Sequence, residues 1–238
     1  MLSGPAVVLS PEQLLERFAS SGPRQRRSLL AQLQQRRGEW AGLLMQQLER
    51  LDPSSDDWAA GTLIQLFLAG ATDDERQVFT ARYPQGWLTV GSAADLDLAP
   101  LQAALAEQQF EEADRHTSAL LRQLAGTGAV QRGYVYYSEV PPMPALDLES
   151  LDRLWVCYSQ GRFGFSVQLR LLRSCNQRWE QLWPRLGWKQ AGLWTRYPGS
   201  FTWSLEAPEG HMPLINQLRG VRLMDALLQH PAVQQRLT

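Results

Sequence analysis

Apolar residues recur at three- and four-residue intervals from Leu14 to Leu228, and Gly or Pro breaks interrupt them after only a few turns. A chain patterned this way forms many short helices rather than a few long ones. Ser10-Pro11-Glu12-Gln13 predicts the first helix, with Ser10 as cap, Pro11 at the first position and Gln13 closing a capping box. Leu14, Leu15 and Phe18 give it one apolar face. After a break at Ser21-Gly22-Pro23, a second helix runs from Arg24 to Arg37 and stops at Gly38. Trp40, Leu43, Leu44, Leu48 and Leu51 continue at helical spacing. Trp58 to Leu68 predicts a strongly apolar helix, and Thr72-Asp73-Asp74-Glu75 opens another through a second capping box. Residues 1–84 therefore read as a small antiparallel bundle or helical-repeat module, with Tyr83-Pro84-Gln85-Gly86 as the junction to a second unit, 85–238.

In the second unit, Asp97 is expected to cap a helix holding Leu101 and Leu105. Another runs from Phe110 through Leu124 to Gly126. Asp114 and Thr117 sit one turn apart on it; they form either a polar site or, more ordinarily, helix-surface and capping groups. Tyr134 to Tyr137 predicts a brief strand, and Pro141-Pro142-Met143-Pro144 a loop. Asp147 is expected to cap a helix with the stripe Leu148, Leu151, Leu154, Trp155 and Tyr158. Asn176 is expected to cap a short helix holding Trp179 and Trp183, both read as core. Trp188 to Ser200 has no sustained period and reads as an irregular loop, and Phe201 to Leu205 as extended. His211 is expected to stabilise the turn from Pro208 to Pro213, and Leu214 to Leu228 forms a helix broken at Gly220.

The stretch from Asp147 to Arg222 carries the chemistry. It holds six of the nine tryptophans. Between Gln160 and Ser204, seven basic residues face the single acid Glu180, although the whole chain has a net charge of only −1. Rings and guanidinium groups together suit a flat, apolar ligand that bears acidic groups. Asn216, Arg219 and Arg222 recur every three residues and share a broad helical face. Such a row grips two carboxylates or forms a structural hydrogen-bond cluster, and the spacing alone does not separate the two.

Several function classes find no support. Gly161-Arg162-Phe163-Gly164 matches neither GxGxxG nor GxxxxGK[ST]. Cys157 and Cys175 stand in apolar periodic segments without a CxxC pair or nearby histidine, so they read as buried thiols and no protein-ligated metal is expected. No catalytic carboxylate pair or Ser-His-Asp set stands out, and an enzyme is not expected. No apolar run approaches the ~20 residues of a membrane helix. The start MLSGPAVVLS has neither signal- nor transit-peptide character, which predicts a cytoplasmic protein.

The segments LWVCYSQGRFGFSVQ, W-x(3)-LGW, FTWSLEAPEGHMP and NQLRGVR resemble the genomes-uncoupled family. Its members are tetrapyrrole-binding accessory proteins of magnesium chelatase in oxygenic phototrophs. The resemblance runs from about Asp97 to Arg222, and the N-terminal bundle is similar to the one that cyanobacterial members carry. It implies an all-α core shaped like a cupped hand with long loops, whose groove binds protoporphyrin IX and Mg-protoporphyrin IX. It also implies a non-enzymatic regulator that stimulates magnesium chelatase, with the porphyrin-bearing large subunit as partner; peripheral membrane association is compatible with that role. Carried over residue by residue, Asn216, Arg219 and Arg222 match the family's polar row, and Phe163, Phe165, Trp188, Trp194 and Tyr197 its aromatic positions. Two other readings compete: a helical interaction adaptor without a tetrapyrrole, and a single-stranded nucleic-acid binder. The near-neutral charge and missing RNA-binding signatures count against the last, so no nucleic-acid partner is expected.

Overall fold

The computed structural model describes residues 9–215 and 221–237. Helices dominate. The first group is α1 (Pro11–Ser20), α2 (Pro23–Gln35), α3 (Arg37–Trp40), α4 (Leu44–Glu49), α5 (Trp58–Leu68) and α6 (Asp73–Arg82). The second is α7 (Ala99–Ala106), α8 (Phe110–Leu124), α9 (Thr127–Arg132), α10 (Ala145–Cys157), α11 (Phe165–Ser174), α12 (Trp179–Arg185), α13 (Val221–Gln229) and α14 (Pro231–Gln235). Among the described residues the only strands are β1 (Lys189–Gln190) and β2 (Leu193–Trp194), an antiparallel pair with Lys189 opposite Trp194.

Both capping boxes form. Ser10 Oγ accepts from the Gln13 N–H while the Gln13 amide oxygen accepts from the Ser10 N–H, and Thr72 and Glu75 do the same. The α5 helix is apolar nearly all round because it is central. It packs against α1, α2 and α4 on one side and α7 and α10 on the other. Its Gly61 lies so close to α10 that a Cβ there would stand 2.2 Å from the Cys157 carbonyl oxygen. Four residues on, the Gln65 amide nitrogen donates to the carbonyls of Leu105 (2.8 Å) and Tyr158 (2.6 Å). One continuous apolar core thus runs from Leu14 to Val233 across both groups of helices.

The C-terminal end is tied in by charge. Asp152, fully buried on α10, accepts from Arg236 Nε at 2.9 Å and from the Ser166 N–H at 2.8 Å. Arg236 also pairs with Asp56. Gly164, at φ +128°, fits where a Cβ would press to 2.7 Å from the Asp152 carboxylate.

Five local expectations change. Gly38 does not end a helix; it lies inside α3, and residues 37–49 form short pieces joined by a 3-10 turn, Ala41–Leu43. Tyr134 to Tyr137 is no strand: the Glu139 carboxylate accepts the Tyr136 N–H at 2.8 Å, folding the chain into a 3-10 turn, Tyr137–Glu139. Asp147 does not cap α10, which starts two residues earlier; its buried carboxylate accepts from Ser92 and, at 3.0 Å, from the Ala93 N–H. Asn176 takes the left-handed conformation at φ +51°, and Arg178 holds the N-cap position. Phe201 to Leu205 bends through a turn closed by the Ala207 N–H on the Ser204 carbonyl. The thiols of Cys157 and Cys175 are free and buried as expected. Burial pushes the Cys157 thiol pKa up.

Candidate functional site

An apolar cleft of about 110 Å³ opens between α8 and α13. Ser118, Leu121 and Arg122 of α8 form one wall, and Leu223 and Leu227 of α13 the other. Gly133, Tyr134, Val135, Met143, Leu214 and Ile215 complete its lining. Helical spacing explains the α8 wall: Ser118 and Leu121 to Arg122 fall on adjacent turns, beside the core-facing stripe Phe110, Ala113, Thr117 and Leu120.

Arg132 and Arg222 are the sequence neighbours of the cleft-lining Gly133 and Leu223. The Arg132 guanidinium lies over the Tyr136 ring at 4.2 Å and the Tyr134 ring at 5.1 Å, and it pairs with Glu139. Arg222 lies over the exposed ring of Tyr137 at 5.6 Å. These contacts set the cations against aromatic faces.

A second aromatic assembly lies in the loop after α12. Trp188 stacks on Trp183 with centroids 5.9 Å apart, and Trp183 also packs against Trp179 (5.2 Å) and Trp194 (5.5 Å). Lys189 pairs with Glu180 and faces the Trp194 ring at 5.3 Å. Leu193, 75% exposed, and Trp194, 41% exposed, form the outer edge of the hairpin. Farther along, Tyr197 packs on Phe201 and Trp203, and Phe201 on His211 at 4.8 Å. His211 is buried; its ring shares a 2.6 Å hydrogen bond with the Leu186 carbonyl, and its own carbonyl accepts from Trp188 Nε1 at 2.8 Å. Its role is to hold the turn. Desolvation lowers its pKa, so the ring is neutral at neutral pH.

Asp114 lies on α8, one turn before the cleft-lining Ser118. The Asp114 side chain is 1% exposed. Its carboxyl accepts from the Leu214 N–H at 2.6 Å. Burial raises its pKa to about 7, opposed chiefly by that hydrogen bond. Thr117, one turn on, accepts from Trp155 Nε1 at 2.9 Å. Neither residue lies on the helix surface.

The sequence-predicted site residues are not all brought together. Arg222 precedes the cleft-lining Leu223 and lies over the Tyr137 ring. Trp194 and Tyr197 lie exposed in the loop. Phe163, Phe165 and Trp188, expected around the ligand, are fully buried. Phe163 packs edge-on against Phe110 (5.7 Å) and Trp155 (6.4 Å), and Trp188 is enclosed by Trp183 and the His211 carbonyl, so their faces are already covered by the core. Asn216 and Arg219 lie outside the described residues. Sequence reasoning missed Arg132, whose signal was its place beside the tyrosine run. For Asp114 it left a polar site and an ordinary helix-surface or capping role as alternatives, and the structure buries the side chain.

The cleft offers an apolar lining with one cation, Arg122. Its volume does not admit a whole macrocycle, since drug-sized ligands fill about 300–1,000 Å³. A wider recess of about 510 Å³ lies near the start of α8, but Glu111 and Glu112 line it with Arg115 and Trp203. Two carboxylates there oppose a ligand with propionates. Among the described residues no three His, Cys, Asp or Glu side chains converge to hold a metal ion.

Comparison with known proteins bears on the same region. The GUN4-like family profile matches residues 91–231. A "Ycf53-like protein" of Synechocystis sp. is 50% identical over 153 residues, 64% of this chain and 66% of that protein. The "Tetrapyrrole-binding protein, chloroplastic" of Arabidopsis thaliana is 38% identical over 141 residues, 56% of this chain and 53% of that protein. The chain thus spans less than two thirds of the length of both curated relatives. The solved structure of GUN4 from Chlamydomonas reinhardtii superposes with a TM-score of 0.58 at 37% identity, covering 61% of this chain and 93% of that one. The ligand-free structure of Arabidopsis thaliana GUN4 gives 0.54 at 38% identity, covering 58% and 98%. The predominantly helical fold agrees with those structures, and the profile takes in well over half of the chain, cleft and aromatic loop included: this protein belongs to the GUN4-like family.

Proposed function

We propose that this protein binds a porphyrin, protoporphyrin IX or Mg-protoporphyrin IX, without transforming it. The observation that carries the reading is the apolar cleft between α8 and α13, lined by Arg122 with Arg132 and Arg222 next in sequence to its lining residues Gly133 and Leu223, inside the family-matched region. The name of the Arabidopsis relative supports the ligand class. A macrocycle presents an apolar face and two propionates, and aromatic contacts contribute ~0.5–1.5 kcal/mol each beyond area burial. A guanidinium–carboxylate hydrogen bond adds roughly 1.5–3 kcal/mol. Because the cleft is smaller than the ligand, binding requires the aromatic loop with Trp194 and Tyr197, or the segment holding Asn216 and Arg219, to complete the enclosure. Phe163, Phe165 and Trp188 support that surface from within the core.

Magnesium arrives inside the macrocycle, so no protein metal site is needed. The protein then acts as a regulator: it presents porphyrin to the large subunit of magnesium chelatase and stimulates metal insertion. In this reading residues 1–84 form an accessory unit and 85–238 the ligand-binding core. The test is a deuteroporphyrin titration followed by the Soret band and tryptophan quenching, run beside a magnesium-chelatase assay. Saturable binding with faster metal insertion is expected. Absence of binding at micromolar porphyrin overturns the reading and favours the interaction adaptor; binding without stimulation removes the chelatase role alone.

A further inference from the structure

A second cavity, of about 220 Å³, lies between α6 and α7 and shares no lining residue with the α8–α13 cleft. We propose that it is a binding site for a small, neutral, flat aromatic molecule of about indole size. The proposal is independent of the porphyrin reading.

Helical spacing builds the cavity. Phe79, Thr80 and the C-capping Tyr83 form one stripe along α6, and Ala99, Ala103 and Ala106 form the facing stripe along α7. Side chains of facing helices ordinarily interdigitate and fill the space between them. Here the α7 side chains end at Cβ, and a gap is left. On the α6 wall the Phe79 and Tyr83 rings stand 5.2 Å apart, and Trp87 and Tyr158 are buried in the lining. The result is a slot with rings on one wall and methyl groups on the other. The α6 wall precedes the family-matched residues 91–231 and the α7 wall falls within them, so both groups of helices are needed to form it.

The chemistry of the lining selects the occupant. Aromatic rings pack on one another in offset or edge-on arrangements, which the α6 wall offers. The polar groups are already engaged. Arg76 of α6 pairs with Glu107 of α7 and donates to the Leu68 carbonyl. The Tyr158 hydroxyl donates to the Gln102 side-chain oxygen at 2.9 Å, and the Gln102 amide nitrogen donates to the Gln85 carbonyl at 2.9 Å. A charged ligand finds no free counter-charge among the lining residues; a neutral ring needs none. An apolar cavity of about 150 Å³ already holds benzene. The slot is larger, admits a fused second ring, and is too small for a macrocycle.

Indole titrated into the full-length protein and followed by amide NMR tests the site. The Thr80 and Ala103 amides are expected to shift along one saturating curve, while the Ser118 amide in the α8–α13 cleft stays in place. Ala106→Leu and Ala103→Leu each extend a side chain into the slot and should weaken indole binding by about tenfold or more, the effect of one ring's lost burial. If Ala106→Leu does not fold, Ala103→Leu decides, because Ala103 is exposed at the side of the slot and leucine keeps the helix propensity of α7. Cyclohexanol should bind several-fold more weakly than indole, since it lacks the ring–ring contact. Equal affinity for the two overturns the aromatic assignment. No saturation at millimolar indole, shifts centred on Ser118 instead, or unchanged affinity in the leucine variants overturns the site.

Discussion

The Gln65 side-chain amide donates to the Tyr158 carbonyl at 2.6 Å, joining α5 to the end of α10 across 93 residues of sequence. The same nitrogen serves the Leu105 carbonyl. An unpaired buried polar group costs about 1–3 kcal/mol. Gln65→Leu removes the donor from both carbonyls and is expected to lower stability by about 2–3 kcal/mol. Urea unfolding followed by tryptophan emission measures it, and an unchanged midpoint would show that the contact is dispensable.

Gly61→Ala tests the closest approach of the same two helices. A methyl group cannot occupy a point 2.2 Å from the Cys157 carbonyl oxygen, so α5 and α10 must separate. Overpacking of this kind costs about 1–3 kcal/mol. A thermal melt as high as the parent's would refute the packing described.

Arg236→Ala should be more damaging. It leaves the Asp152 carboxylate buried with only the Ser166 N–H as a hydrogen-bond donor, and it releases Asp56. Breaking a buried pair from one side costs about 3–5 kcal/mol. Chemical unfolding of Arg236→Ala beside Asp152→Asn and the double variant gives the coupling; strictly additive losses would mean that the two groups do not interact.

Arg222→Ala is expected to weaken porphyrin binding by about tenfold, the effect of losing one charge-assisted bond, without altering the fold. The cation touches only the exposed Tyr137 ring among the contacts described, so circular dichroism should be preserved. Equal affinities in the titration would exclude Arg222 from the ligand's surroundings.

Asp114 and His211 give opposite pH dependences. The folded-state pKa of Asp114 lies above its unfolded value of 3.8, at about 7. The native state therefore holds the proton longer, and stability falls as pH rises from about 4 to about 7. Desolvation lowers the pKa of His211 below 6.5, so its contribution is complete above that pH and is lost as pH falls. Asp114→Asn should remove the first dependence, an effect on the order of a few kcal/mol between pH 4 and pH 7. Urea midpoints across that interval report it, and a parallel curve for the variant would refute the assignment.

What the sequence made legible was local. The boxes at Ser10 and Thr72 need only four consecutive residues each, and the α5 run from Trp58 to Leu68 announces its burial by composition. Asp147 shows where local reading ends: its partners, Ser92 and Ala93, lie more than fifty residues away, so a capping residue and a tertiary acceptor look alike in sequence. The aromatic positions have the same ambiguity. Spacing cannot tell the enclosed ring of Phe163 from the exposed ring of Trp194. The cleft was illegible because Arg122, Val135, Leu214 and Leu227 meet only in the folded chain.

The way α5 is wedged between two sets of helices bears on how the molecule can be dissected. Severing the chain after residue 84 would strip the donor from the Leu105 and Tyr158 carbonyls and bare the α7 and α10 faces that α5 covers. A fragment spanning 85–238 would carry a raw, greasy scar on the side of the body remote in sequence from the aromatic loop. Its solubility would then depend on whatever else came to rest there.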